Sequence, residues 1–223
     1  MRVDIITLFP QLIEPFLKEG IISRAVKQKK LKVRLWHLRD FALGAHQIVD
    51  DRPFGGGRGM VLKIEPVYRA VKRIRLKRKD KSSLFVVFTP RGKKFTQKLA
   101  TRWAQLDQLI LFCGRYEGID ERVLKYMADE KISIGPYVLM GGEIPALTIL
   151  ETVARLLPGI IGHSEQLKER ITKKEGFEEF PQYTRPEIFE INSEKKWRVP
   201  KVLLSGDHKK IKEWRKKHSK IIE

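Results

Sequence analysis

Short apolar runs alternate with segments of helical period along residues 1–160, the pattern of parallel strands joined by crossover helices. Residues 3–8, 31–36, 84–89, 109–113 and 132–134 are β-rich and too short for buried helices. Between them, residues 64–76, 95–103, 120–127 and 143–157 have helical spacing, the last with Leu147, Leu150, Ala154 and Leu157 on one face. The fold class predicted is α/β, a parallel sheet with helices on both faces.

The stretch ISIGPYVLMGGEIPAL, residues 132–147, interrupts an apolar run with Gly135 and with Gly141-Gly142 before a helix opening on Glu143-Ile-Pro145. Glycines allow close backbone approach, and proline suits a first helical turn. An ordinary strand ending in a turn has the same look, so this stretch alone assigns no function.

After Pro158-Gly159 the texture changes. Residues 164–179 are charged, with Leu167, Ile171 and Phe177 as their few large apolar side chains. The division expected is a main domain over 1–160, a flexible linker over 161–180 and a small, mainly helical domain over 181–223. In the last of these, Ser205-Gly-Asp207 is placed to cap a basic helix running through Trp214.

Charge narrows the partners. The 223 residues carry a formal net charge of +19, with basic runs at 69–81 and 209–220, and polyanion binding is the physical expectation. Neither run is coupled to a strongly apolar face, so nucleic acid ranks above an acidic membrane. A single cysteine, Cys113, excludes an intramolecular disulfide, and no His or Cys cluster has zinc-site spacing. The N-terminus lacks an uninterrupted apolar core and no apolar run reaches spanning length, which places the chain in the cytoplasm.

Three expected strand-to-loop junctions carry glycine or proline: Thr89-Pro-Arg-Gly92, Cys113-Gly-Arg-Tyr-Glu-Gly-Ile-Asp120, and the Gly135–Gly142 stretch. Ligands of open α/β sheets collect beyond the carboxyl ends of strands, so one shared pocket is the simplest expectation. None of the three has dinucleotide-fold spacing, and Gly55-Gly-Gly-Arg-Gly59 lacks the lysine of a P-loop. The loop DDRPFGGGRG, residues 50–59, joins two carboxylates and two arginines to a flexible backbone, which reads as a mobile substrate loop or as a solvated turn.

The blocks VDDRPFGGGRGM, CGRYEGIDERV, SIGPYVLMGGEIPAL, RLLPGIIGH, YTRPE and VPKVLLSGDHKKIKEWR, in that order and spacing, resemble the bacterial tRNA (guanine-N1)-methyltransferase family of the SPOUT superfamily. The resemblance covers the chain from the first strand to the last helix. It implies methyl transfer from S-adenosyl-L-methionine to N1 of the guanosine just 3′ of the anticodon (nucleotide 37). It further implies a trefoil knot around the cofactor, a homodimer with the active site at the subunit interface, tRNA as partner, and an association with Mg²⁺, for which no carboxylate cluster marks a site.

By matching position, the cofactor pocket implied uses Thr89, Pro90, Gly114, Tyr116, Glu117, Gly118, Ile134, Tyr137, Leu139, Gly141 and Gly142. Substrate RNA falls to Asp50, Arg52, Gly57, Arg58 and Gly59, and in the tail to Ser205, His208, Lys209 and Arg215. For catalysis the family supplies an arginine, matched by Arg155, and an aspartate. The chain departs from the pattern at the aspartate. Its linker reads Glu165-Gln-Leu-Lys-Glu169-Arg170, and Glu169 is the best-matched base, with Glu165 and Arg170 competing for the position. Pro136 stands where relatives usually have aspartate, Met140 where they often have serine, and Arg58 where they usually have proline. A SPOUT methyltransferase with another RNA target, or an RNA-binding protein that lost turnover, are the alternatives.

Overall fold

Along its first strand the chain alternates Val3 and Ile5 into one core layer with Ile6 into a second, so the sheet is buried on both faces. The computed structural model describes residues 1–75, 82–161, 172, 176–192 and 195–222. Its strands up to residue 133 are β1 (Arg2–Thr7), β2 (Lys32–His37), β3 (Asp50–Asp51), β4 (Val61–Leu62), β5 (Ser83–Lys94), β6 (Gln108–Phe112) and β7 (Glu130–Ser133). Five of them form one parallel sheet in the order β2-β1-β6-β5-β7. Parallel sheets need cover on both faces, which is why β6 is apolar at every position from Leu109 to Phe112.

The helices supply that cover. They are α1 (Glu14–Lys18), α2 (Gly20–Lys27), α3 (Ile64–Ile74), α4 (Gln97–Trp103), α5 (Glu121–Tyr126) and α6 (Glu143–Ala154). Helices α4 and α6 bury Leu99, Trp103, Ile149, Leu150 and Val153 against Ile5, Val86 and Leu111. On the other face α3 and α5 bury Val67, Ala70, Val71 and Val123 against Ile6, Phe85 and Phe112. Each large apolar side chain so covered contributes about 1.5–3 kcal/mol relative to exposure.

Two boundaries differ from the sequence reading by three residues or more, for physical reasons. Helix α6 ends at Ala154 rather than at 157, because Leu156 and Leu157 donate to carbonyls three residues back and tighten the last turn before Pro158. Strand β5 does not stop at Thr89: it continues to Lys94 through a register shift between Phe88 and Lys93. Gly92 lies so close to β7 that an added Cβ would sit 2.6 Å from the backbone of Ile132. The expected junction at 89–92 is therefore a bulge within one strand, a device that re-aims side chains beside a site. Helices α1 and α2 were not anticipated, since Gly20, at φ +63°, breaks the apolar period between them.

The chain divides into two compact units, Met1–Ser164 and Glu165–Glu223. The described part of the second contains β8 (Phe177–Glu179), β9 (Ile188–Glu190), β10 (Lys196–Arg198), α7 (Lys201–Leu204), α8 (His208–His218) and β11 (Lys220–Ile222). Asp207 caps α8 by accepting from the amides of Lys209 and Lys210, both at 3.1 Å. The Lys210 amide first, then its ammonium, hold the Asp207 carboxyl below its usual range. Trp214 stacks on His218 at 4.3 Å and meets Tyr183 edge-on at 6.2 Å.

Candidate active-site cleft

At the carboxyl edge of the sheet, three segments converge on one cavity of about 380 Å³. The β5 bulge contributes Thr89 and Pro90; the loop after β6 contributes Gly114, Tyr116, Glu117 and Gly118; the segment between β7 and α6 contributes Ile134, Tyr137, Leu139, Gly141 and Gly142. Every residue expected of the cofactor wall thus lines the same space.

Three of the glycines are tightly covered, Gly142 by backbone and Gly141 and Gly135 by side chains. A Cβ on Gly142 would lie 2.5 Å from Cys113 Cα, and the Gly142 amide donates to the Gly114 carbonyl at 3.0 Å. A Cβ on Gly141 would lie 2.3 Å from Arg115 Nε, and one on Gly135 would lie 2.2 Å from the Tyr137 ring. The two loops are therefore stacked backbone on backbone, which leaves their peptide groups facing the cavity free of side-chain cover.

A buried polar cluster holds this stack. Glu143, 2% exposed, opens α6 and accepts a hydrogen bond from Thr7 Oγ1 at 2.7 Å. Arg115 Nη2 lies 2.9 Å from Glu143 Oε2, and its guanidinium covers the Phe9 ring at 4.6 Å. That close approach is off the hydrogen-bond direction, so the contact is ionic rather than directed, and Glu143 Oε2 and Arg115 Nε are buried without a hydrogen-bond partner. Arg115 also lines the cavity. The sequence reading passed over Arg115 and Glu143; the signal was present in the quoted CGRYEG and GGEIPAL blocks, but only the fold pairs them.

Cys113, at the end of β6, is fully buried beneath the same stack. Burial first, then the neighbouring Glu143 carboxylate, push its thiol well above the ordinary range. Asp120 caps α5, and its carboxyl is held low chiefly by the Arg122 side chain.

The 50–59 loop leaves and rejoins the cleft. Its feet, β3 and β4, pair antiparallel; Leu62 bridges to Ile119, and the Glu117 amide donates to the Met60 carbonyl at 3.1 Å. Asp50 lies in β3, and Arg52, Gly57, Arg58 and Gly59 are exposed beyond it. Gly59, at φ +83°, packs on the Glu117 side chain, 2.4 Å from where its Cβ would be. Phe54 in this loop is 102% exposed.

Arg155 is not brought to the cavity of its own chain. It is the C-cap of α6, whose first turn forms the cavity wall; 12 helical residues separate the two ends, about 18 Å along the axis. Glu169, with its competitors Glu165 and Arg170, lies outside the described residues. Glu117 is the carboxylate among the described residues that line the cavity. In the second unit, Lys209 and Arg215 are exposed on α8, with His208 at its start and Ser205 just before it. Among the described residues no group of three or more His, Cys, Asp or Glu is placed to hold a metal, and no helix is long and apolar enough to cross a membrane. Pro136 is exposed, and Met140 lines the cavity with most of its surface open.

Comparison with known proteins agrees with the geometry. Residues 1–221 match the profile of the family described as tRNA (Guanine-1)-methyltransferase TrmD. A tRNA (guanine-N(1)-)-methyltransferase of Clostridioides difficile is 42% identical, over 98% of this chain and 92% of its own. Those of Pseudomonas putida (strain W619) and Methylacidiphilum infernorum are each 46% identical over 98% of this chain, and over 85% and 91% of their own.

Proposed function

The chain belongs to the tRNA (guanine-1)-methyltransferase family, and from that premise we propose that it methylates N1 of a guanosine in tRNA, the one immediately 3′ of the anticodon at nucleotide 37, with S-adenosyl-L-methionine as donor in the cytoplasm. The observation that carries this reading is the single cavity in which every residue of the expected cofactor wall meets.

The residues present fit such a donor. The volume lies within the range of small-molecule sites, about 300–1,000 Å³. Backbone without side-chain cover at Gly114 and Gly141 suits the edge of an adenine, while Phe88, Ile132 and Leu139 give apolar walls. The Arg115 side chain, which lines the cavity, brings a positive charge to the ligand's side. Bound there, the cofactor supplies an electrophilic methyl group on a sulfonium. A trefoil knot around the cofactor, involving the segments that line the cavity, is part of the proposal and rests on the family resemblance.

The protein must then do two things at the guanine. N1 carries a proton that a carboxylate has to accept, and negative charge growing on O6 needs a cation. Glu169 is proposed as the base and Arg155 as the cation. Because Arg155 stands at the far end of α6 from the cavity, the second copy in a homodimer supplies it. Asp50, Arg52, Gly57, Arg58 and Gly59 hold the RNA beside the cleft, and Ser205, His208, Lys209 and Arg215 hold it through the second unit, where cations position phosphates.

The test is methyl transfer from labelled cofactor to unmodified tRNA, alongside a transcript in which the target guanosine is replaced. The expected result is label in the first transcript and none in the second. Equal labelling of both sinks the stated position. Tight tRNA binding with no label in either returns the chain to an RNA-binding role.

A further inference from the structure

The β9–β10 hairpin of the second unit presents an aromatic surface that the proposed chemistry does not use. Phe189 and Trp197 are directly opposed across the antiparallel pair, and their rings stack at 5.9 Å with 28° between planes. Opposed aromatics stabilise a hairpin by covering each other. These two leave 52% and 59% of their surface open, and Ile191, on the same face by strand alternation, is also exposed.

A cation sits on that face. Lys195 Nζ sits over the Trp197 ring at 5.9 Å, while Lys196, ion-paired to Glu190, and Arg198, opposed to Ile188, belong to the other face of the hairpin. The other tryptophans are engaged elsewhere: Trp214 stacks on His218, Trp103 is buried, and Trp36 donates to Asp4. A flat aromatic pair with a lysine over it, in a chain of net charge +19, has the chemistry of a stacking platform for unpaired bases rather than of an apolar protein contact.

We propose that Phe189 and Trp197 stack an unpaired base of the bound tRNA, with Lys195 holding an adjoining phosphate. The choice of tRNA rests on the proposed methyltransferase function. The platform adds affinity through the base's π-face, which every base has, so it tolerates any nucleotide at that position.

Equilibrium binding of unmodified tRNA to the full chain, measured across salt concentrations, tests it. Trp197→Ala is expected to weaken binding about tenfold or more with an unchanged salt slope, and Trp197→Phe to keep most of the affinity. Lys195→Gln is expected to lower the slope by about one. Emission of the wild type should be quenched by tRNA more strongly than that of Trp197→Phe, a readout that holds even where Trp197→Ala loosens the unit. Wild-type affinity in Trp197→Ala, or equal quenching in wild type and Trp197→Phe, overturns the platform. A loss shared equally by the Ala and Phe variants, with a change in mass on a sizing column, makes the surface a protein interface instead. Wild-type methyl transfer to the same tRNA reports the methyltransferase reading separately: quenching through Trp197 without transfer would sink that reading and leave the platform standing.

Discussion

Gly142 lies on the backbone of Cys113, so that an added Cβ would meet Cys113 Cα at 2.5 Å while the Gly142 amide holds the Gly114 carbonyl. Neither backbone can retreat without separating two walls of the cavity. Gly142→Ala is therefore expected to cost about 1–3 kcal/mol of stability, the range for overpacking, and to weaken cofactor binding by more than tenfold. Gly135→Ala meets the movable Tyr137 ring instead and should bind the cofactor more nearly as wild type does. Calorimetric titration with S-adenosyl-L-methionine, paired with thermal melts, measures both; equal affinities for the two variants would refute the backbone argument.

Arg115 and Glu143 make a second prediction. Removing the guanidinium leaves a carboxylate that is 2% exposed with Thr7 as its remaining partner. Breaking one side of a buried pair typically costs about 3–5 kcal/mol, and the Thr7 hydroxyl places Arg115→Met toward the low end. Glu143→Gln keeps the Thr7 contact and should cost less. Denaturant unfolding of the three proteins orders them; Arg115→Met as stable as wild type would mean that the ion pair does not hold the loops together.

The sheet was legible because its strands are short apolar runs whose flanking segments have helical period: the run 109–113 reads as a strand by itself, and β6 lies one residue earlier, at Gln108–Phe112. The cavity residues were legible because the resemblance carried them position by position, and glycine-rich blocks name their own turns. Three things could not be read. The extension of β5 past Pro90 depends on Gly92 resting against Ile132, a contact made across the sheet. Helices α1 and α2 are split by a glycine and owe their helicity to packing. The pairing of Glu143 with Arg115 joins a helix start to a loop 28 residues earlier, and no local pattern encodes it. Arg155 shows the opposite limit: the resemblance offers an arginine for the role, and only distance along α6 shows that it stands away from the cavity of its own chain.

Cys113 offers a test by pH. Its folded thiol is pushed up by burial, so on unfolding it becomes easier to ionise. The unfolded state then binds fewer protons than the folded one above the ordinary thiol value of about 8.5, and stability falls as pH rises through that window. Below it the contribution is fully present. The wild type should therefore lose more of its melting temperature between pH 7 and pH 10 than Cys113→Ala does, although the variant starts lower because of the cavity it creates. A thiol reagent should modify Cys113 in denaturant and not in the native protein. Rapid native labelling would contradict the burial.

Helix α6 carries the cavity wall at one end and Arg155 at the other, about 18 Å apart along the axis, so one copy of the chain cannot bring its own Arg155 to its own cofactor without unwinding the helix. If catalysis needs both, each active site takes them from different copies. Arg155→Ala is expected to bind S-adenosyl-L-methionine as wild type does and to lose turnover by about 10²–10³, the scale for one lost charge-stabilising group. Gly142→Ala is expected to lose turnover through the cofactor instead. Mixed by joint refolding or co-expression, the two inactive variants should form dimers in which one cavity is intact and faces an intact Arg155, and turnover should return. Sizing chromatography establishes that mixed dimers have formed. Mixed dimers without recovered turnover would show that Arg155 and the cavity must come from one chain, and the arginine's role at O6 would then pass to a residue nearer the cleft, with Arg115 the first to test.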